Sequence, residues 1–273
     1  MIFISFTKLI FSIFIIYNIQ VFCKDIVIDQ NSIDSTNQQQ DSSLQKIWEI
    51  DNQTPSSRNL IVSENKILTI TDDGLVHCYL FDGQEKWSAE VFGNIKSNAV
   101  LFKDLFLTAT YGGDLYSINS NNGDVVQVIG VGENITTDLS LVDLTTTTLK
   151  SKGVVFGTEA GNIFCYDIFT FEMIWKINLS THSLISKPII VNDKIIFKNS
   201  LTSLYCVNVK SGLLIWKYDF KEKEGFSNNS NTLANGKSIF ALSTSGEINA
   251  LDLILGKKLW STNSFNVLPQ IVF

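Results

Sequence analysis

GEINALDLILGKKLW (Gly246–Trp260) holds the pattern that decides the fold: a glycine, a short alternating apolar stretch with a small residue inside it, a turn, and a tryptophan. The same order recurs in GLVHCYLFDGQEKW (Gly74–Trp87), GDLYSINSNNGDVVQ (Gly113–Gln127), GNIFCYDIFTFEMIW (Gly161–Trp175) and TSLYCVNVKSGLLIW (Thr202–Trp216). Trp48 starts the count, and the intervals between positions 48, 87, 127, 175, 216 and 260 are 39, 40, 48, 41 and 44 residues. A repeat of about 40 residues made of strand-length apolar runs is the signature of sheets arranged radially around an axis.

Two further apolar runs precede each copy. The first set is Asn59–Val62, Ala99–Phe102, Leu139–Val142, Pro188–Val191 and Thr232–Ala234. The second is Lys66–Ile70, Leu105–Ala109, Gly153–Phe156, Lys194–Phe197 and Ser238–Leu242. With the two strands inside the motif, each unit has four short strands joined by Asn, Asp, Gly and Lys turns, which predicts an all-β propeller with five full blades. The long interval marks an insertion, for which Thr145–Lys152 (TTTTLKSK) is the candidate.

Two residues after the motif's first position stand Val76, Leu115, Ile163, Leu204 and Ile248; four after it stand Cys78, Ser117, Cys165, Cys206 and Ala250. Side chains alternate along a strand, so these slots share one face and pack against the neighbouring blade, where a small residue allows close approach. The three cysteines occupy one slot on separate blades, too far apart to bridge, and are expected to be buried small hydrophobes rather than disulfides. Asn119, Asp167, Asn208 and Asp252 stand four residues before the next turn position, filled by Gly123, Phe171, Gly212 and Gly256. An Asx side chain bonds its own downstream amide and glycine supplies positive φ, which closes the hairpin. Two copies break the pattern: Gln127 replaces the tryptophan of the second, and Phe171 the glycine of the third.

The ends of the repeat array are uneven. Ile47–Ile50, with Trp48, resembles the last strand of a blade, and Leu268–Phe273 the first. Pairing of the two would give an incomplete sixth blade; a frayed seam, capture of a partner strand in the gap, and a truncated chain are the alternatives.

Ahead of the array lie two other segments. Residues 1–23 carry one charge, Lys8, then the apolar core Leu9–Ile16, about eight residues long. That fits a secretory h-region of ~7–15 residues and falls short of the ~20 that span a bilayer. The expectation is a cleaved signal peptide, with an uncleaved anchor or a cytosolic chain as alternatives. Residues 24–45 are rich in Gln, Ser and Asn and are expected to form a disordered linker ahead of a propeller over 46–273. Sequons at Asn52, Asn134, Asn178 and Asn228 are candidate N-glycosylation sites and agree with a secretory-pathway location, luminal or extracellular.

The net charge of −6 and the lack of a Lys/Arg cluster argue against nucleic acid as a partner, and a membrane enters only if the leader is retained. His77 and His182 have no partner at ligand spacing and read as surface or strand-edge residues. No phosphate loop, nucleophile elbow or metal-ligand set is present in the sequence, so no catalytic, cofactor or metal residues are assigned.

With these residues quoted, the chain resembles the pyrroloquinoline-quinone-repeat (PQQ-like) propellers, whose blades end in Gly-x-Leu-Tyr-Ala-Leu-Asp…Thr-Gly-x-x-x-Trp. The resemblance implies that Trp87, Trp175, Trp216 and Trp260, with Trp48, dock across blade–blade seams. The family contains quinone-dependent dehydrogenases, longer and with more blades, that place a vicinal disulfide over the cofactor and bind calcium through acidic and amide side chains. It also contains propellers without quinone that serve as docking surfaces, such as the lipoprotein subunit of the bacterial outer-membrane assembly machinery. Lacking a Cys-Cys pair, this chain is similar to the second kind, which implies a non-catalytic protein-interaction scaffold without cofactor, its partner unidentified. A quinone- or sugar-binding enzyme fragment, or the luminal sensor of a membrane-anchored protein, is the alternative.

Overall fold

Among the described residues, antiparallel pairing of consecutive strands accounts for every sheet. The computed structural model describes residues 46–50, 56, 58–63, 65–145, 151–180, 182, 184, 186–200, 203–220, 232–242 and 247–263. The leader (1–23), the polar segment 24–45, the sequons at Asn52 and Asn228 and the strand expected at Leu268–Phe273 lie outside those residues.

Blade 1 comprises β1 (Ile61–Ser63), β2 (Lys66–Ile70), β3 (Leu75–Tyr79) and β4 (Glu85–Glu90). Blade 2 comprises β5 (Val100–Phe102), β6 (Leu105–Ala109), β7 (Asp114–Asn119) and β8 (Val125–Gly130). Blade 3 follows with β9 (Ser140–Asp143), β10 (Lys152–Gly157), β11 (Asn162–Asp167) and β12 (Met173–Asn178). Blade 4 has β13 (Ile189–Val191), β14 (Lys194–Lys198), β15 (Ser203–Asn208) and β16 (Leu214–Asp219). Blade 5 has β17 (Leu233–Ala234), β18 (Ser238–Leu242), β19 (Glu247–Asp252) and β20 (Lys258–Asn263). Each is a four-stranded meander, and together they form a β-propeller of five full blades. The expected strands recur within about two residues at each end. KIWEI differs: between residues 46 and 50 only Trp48 takes part in a bridge.

The cores lie between blades rather than within one. Val76 and Cys78 of blade 1 pack against Phe106, Tyr116 and Ile118 of blade 2. Ile163 and Cys165 of blade 3 meet Phe197, Tyr205 and Val207 of blade 4. The alternation read from sequence thus holds, one strand face going to each neighbour. Cys78, Cys165 and Cys206 are buried free thiols, and burial pushes Cys165 and Cys206 up to about 12.

The tryptophans close these seams. The Trp48 indole donates to the Phe81 carbonyl (2.9 Å), Trp87 to Ser120 (3.2 Å), Trp175 to Val209 (2.9 Å) and Trp216 to Leu253 (3.0 Å), each acceptor in the following blade. Beneath each ring lies the hairpin glycine of that blade. A Cβ built on Gly212 (φ +68°) would come 2.6 Å from the Trp175 ring, and one on Gly256 (φ +66°) 2.5 Å from Trp216. The glycine therefore does two jobs: it adopts positive φ, and it leaves room for the indole. Asx bonds fix the same turns, as where Asp252 accepts from the amides of Ile254 (2.9 Å) and Leu255 (2.7 Å).

The two exceptions in the sequence turn out to be one. Blade 2 ends in Gln127, and the ring it would supply is the one that would lie over position 171 of blade 3. With no indole there, position 171 can be Phe171, which carries the turn's φ of 59° itself. Gln127 directs its amide to the Val128 carbonyl (3.5 Å) instead of across the seam. Aromatics elsewhere close the gap: Phe156, Phe164 and Tyr166 stack at 5.7–6.2 Å, and Phe102 meets Phe169 edge-on at 5.9 Å.

This pairing predicts strong coupling between the two sites. Gln127→Trp alone should destabilise the protein by crowding Phe171, whereas Gln127→Trp with Phe171→Gly should recover stability. Denaturant unfolding is expected to give a coupling energy of about 1 kcal/mol or more, and additive effects would refute the pairing.

Candidate interaction face

One end of the propeller is formed by the β2–β3 type turns and by the connections from each outer strand to the next blade. Local backbone bridges make it rigid: Ile95 pairs with Thr110, Ile135 with Thr158 and Leu184 with Asn199, so each connection is stitched to the following blade's turn. The motif-opening glycine permits this approach. At Gly161 (φ +76°) a Cβ would strike the Ser180 carbonyl.

Polar side chains on this face bind one another across blades. The Asn59 amide donates to Asn98 Oδ1 (2.9 Å), and Asn98 donates through its backbone and side chain to Asp138 (2.7 and 2.9 Å). Glu133 accepts from Lys176 Nζ (2.7 Å), Asn162 Nδ2 (2.8 Å) and Thr158 Oγ1 (2.7 Å). Burial alone would raise the Glu133 carboxyl, but these hydrogen bonds and the Lys176 charge outweigh it and hold it below its usual value. Beside it, Glu159 accepts from Tyr111 (3.1 Å) and Asn134 (2.7 Å), and Lys96 sits 3.9 Å over the Tyr111 ring.

Nearer the axis, the first strands of blades 2 to 5 border a cavity of about 560 Å³. Val100, Leu139, Leu141, Ile189, Ile190 and Leu233 form its wall, with Ser140, Ser186, Thr232 and Lys187 as the polar lining. Among the described residues the buried Thr232 hydroxyl has no hydrogen-bond partner, and no carboxylate or arginine borders the space. Among the described residues no group of three or more His, Cys, Asp or Glu is arranged to hold a metal ion. The sequence has no adjacent cysteines. These residues do not fit a calcium-bound polycarboxylate quinone, which calls for acidic metal ligands and cationic partners for its carboxylates.

The residues singled out from sequence are distributed over the molecule rather than gathered into one site. Trp48, Trp87, Trp175 and Trp216 each bond the following blade, and Gln127 leaves the seam between blades 2 and 3 without an indole. Trp260 is 46% exposed, against 8% for Trp175 and Trp216, and its ring lies 6.0 Å from Phe240 of its own blade. Asn134 is half-buried in the network above, while Asn178 lies exposed at the end of β12, its amide shared between Asn162 and Ala160 (2.8 and 3.3 Å). Asp167 and Asp252 are turn residues, as expected. His182 is exposed, but His77 is not at an edge. It lies in the inner strand β3, half-buried, with Nδ1 2.7 Å from Glu85 and its ring stacked on Tyr79 at 5.8 Å. Sequence reading missed two lysines. Lys66 Nζ, buried, bonds Ser120 twice (2.8 and 3.1 Å) and Asn121 (2.9 Å) across the first seam. Lys198 is buried in β14, and burial pushes its ammonium down to about 8. Neither stands in a motif that would have flagged it.

Sheets, seams and axial opening together define a β-propeller of PQQ-like repeats. Residues 140–266, which contain blades 3 to 5 and make up just under half of the chain, match the family model described as outer membrane protein assembly factor BamB, and the repeats of those blades are similar to that PQQ-like family. No curated protein matches the chain by sequence. Among solved structures, BamB from Moraxella catarrhalis is similar at TM-score 0.65 and 15% identity, over 80% of this chain and 64% of that one. The quinohemoprotein alcohol dehydrogenase ADHIIG from Pseudomonas putida HK5 is similar at TM-score 0.61 and 13% identity, over 78% of this chain and 42% of that one. A computationally designed protein, Ika8, is similar at TM-score 0.57 and 14% identity, over 84% and 81%. This chain thus spans less than two thirds of the two natural structures, and at these identities the likeness carries the fold.

The Glu133 network predicts an acid limb of stability. A carboxylate held below its unfolded value, near 4.5, stabilises the fold above that pH and loses the contribution as pH falls through its depressed folded value. Glu133→Gln should therefore lower stability at neutral pH and flatten its fall below about pH 4.5, read by thermal melts across pH. An unchanged acid profile would contradict the assignment.

Proposed function

We propose that this chain is a non-catalytic propeller scaffold of the secretory pathway that binds other proteins through the face built from its inter-blade connections. The observation that carries the reading is the chemistry of that face. Its carboxylates and amides are occupied by one another, and its axial cavity is walled mainly by aliphatic strand ends, with three hydroxyls and Lys187 but no carboxylate or histidine among the described lining residues. Such a surface offers fixed shape and hydrogen-bonding groups, which suit protein recognition, and its titratable groups, Glu133 with Lys176 and Glu159 with Tyr111, are held by one another. The match to an outer membrane protein assembly factor supports the same reading. The secretory location rests on the Lys8–Ile16 leader and on the sequons at Asn134 and Asn178. The similarity to a quinohemoprotein dehydrogenase keeps a quinone-binding enzyme fragment as the competing reading.

Two measurements separate them. The melting temperature of the purified protein should be unchanged by pyrroloquinoline quinone with calcium, while crosslinking from the secretory lumen should recover a defined protein partner. A stable quinone complex, with its absorbance and a raised melting temperature, would overturn the scaffold reading. Sequencing of the mature N-terminus should begin at Lys24, and an intact Met1 would show a retained anchor.

A further inference from the structure

Blades 3, 4 and 5 present the axial cavity with the same places in the chain. Ser140, Ile189 and Leu233 pair with Val155, Ile196 and Phe240, equivalent residues of the second strands, so the chain enters each first strand alike. Just before them stand Leu139, Pro188 and Thr232, all bordering the same space of about 560 Å³. Apolar residues fill that place in blades 3 and 4, whereas blade 5 puts a hydroxyl there. Thr232 is 8% exposed, and its hydroxyl has no hydrogen-bond partner among the described residues. Thr69, Thr108, Ser117 and Asn249 also bury unpartnered polar atoms, but none of them borders the cavity. A buried hydroxyl left unpaired costs stability, so one at the wall of a cavity points to a bound group that pairs it.

One position earlier, Asn59, Asn98 and Asp138 pass hydrogen bonds from blade to blade. The Asn59 amide donates to Asn98 Oδ1 (2.9 Å), and the Asn98 amide to Asp138 Oδ1 (2.7 Å). Blade 4 has Lys187 in that place, which carries donors and no acceptor, so the relay cannot pass through its side chain. Lys187 is exposed, makes no ion pair among the described residues, and is the one charged residue on the described lining. Asp138, the carboxylate of the preceding blade, is already held by the Asn98 backbone and side chain (2.7 and 2.9 Å).

We propose that this cavity binds an aliphatic monocarboxylate, its hydrocarbon chain against the strand ends and its carboxylate held by Lys187 and Thr232. Charge selects the head of the ligand. An ammonium and a hydroxyl with no carboxylate on the described lining favour an anion, and the bond from ammonium to carboxylate is charge-assisted. The walls select the tail, because the side chains of Leu139, Leu141, Ile189 and Leu233 offer nothing to a polar one. The volume lies within the ~300–1,000 Å³ of pockets that enclose small molecules. The inference is independent of the scaffold reading, since a molecule held at the axis leaves the surrounding face available to a protein.

Calorimetric titration of the purified protein with decanoate tests it, with decanol and decylammonium as probes that keep the chain and change the head. Decanoate should bind one to one, about tenfold or more tighter than decanol, and decylammonium should not bind. Lys187→Met should weaken decanoate about tenfold and leave decanol unchanged. Thr232→Val should weaken decanoate without lowering the melting temperature of the free protein, because the hydroxyl it removes has no partner to lose. No saturable heat with decanoate, equal affinity for decanol, or either variant binding decanoate as well as the wild type overturns the proposal. Should Thr232→Val misfold, the three probes on the wild type and on Lys187→Met decide. Whether crosslinking recovers a protein partner leaves each of these outcomes unchanged.

Discussion

An indole laid over a glycine in the next blade, with its N–H on that blade's backbone, is the contact on which this molecule depends. A four-stranded sheet of such short strands has two apolar faces and cannot bury either one alone. Blades 2 to 4 therefore each borrow both neighbours, blades 1 and 5 borrow one among the described residues, and the relation between blades must be fixed as tightly as the sheets themselves. The tryptophan does this with a large buried ring and one directed hydrogen bond. Its demands run through the rest of the repeat. The partner turn must be glycine because a Cβ would meet the ring, and the slot beside it on the third strand must be small because the sheets come close.

Much of this was legible in the chain. Strand positions followed from period-two alternation, turns from Asx and glycine spacing, and the burial of Cys78, Cys165 and Cys206 from their shared slot. What was not legible is what happens between blades. Gln127 and Phe171 appear in sequence as two separate lapses, 44 residues apart in different repeats, and only the arrangement of blades makes them a matched pair. The fourth seam shows the same compensation. Blade 5 offers Ala241 and Asn249 where other blades offer Phe156 with Phe164 or Phe197 with Tyr205, and Phe220 of blade 4, buried against Tyr218, supplies the missing aromatic volume. Lys66 belongs to this class too, since its acceptors lie in the turn of the following blade.

The candidate face was less legible than the fold. Glu133, Asn162, Lys176 and Asp138 have no motif, because their function is set by which blades the connections bring together. The stitched connections give that face rigidity, and the mutual satisfaction of its polar groups gives it a defined hydrogen-bonding surface. Both properties come from the repeat geometry. Among the described residues the same geometry leaves each blade's outer strand at the margin of its sheet.

The central claim is that buried indoles, and not the sheets alone, hold the blades in register. Equilibrium unfolding of Trp216→Ala beside Trp260→Ala tests it most directly, because both occupy the same repeat position and only the first is docked on a following glycine among the described residues. The account predicts a loss of about 3–5 kcal/mol for Trp216→Ala and less than about 1 kcal/mol for Trp260→Ala. Equal losses at the two positions would contradict it.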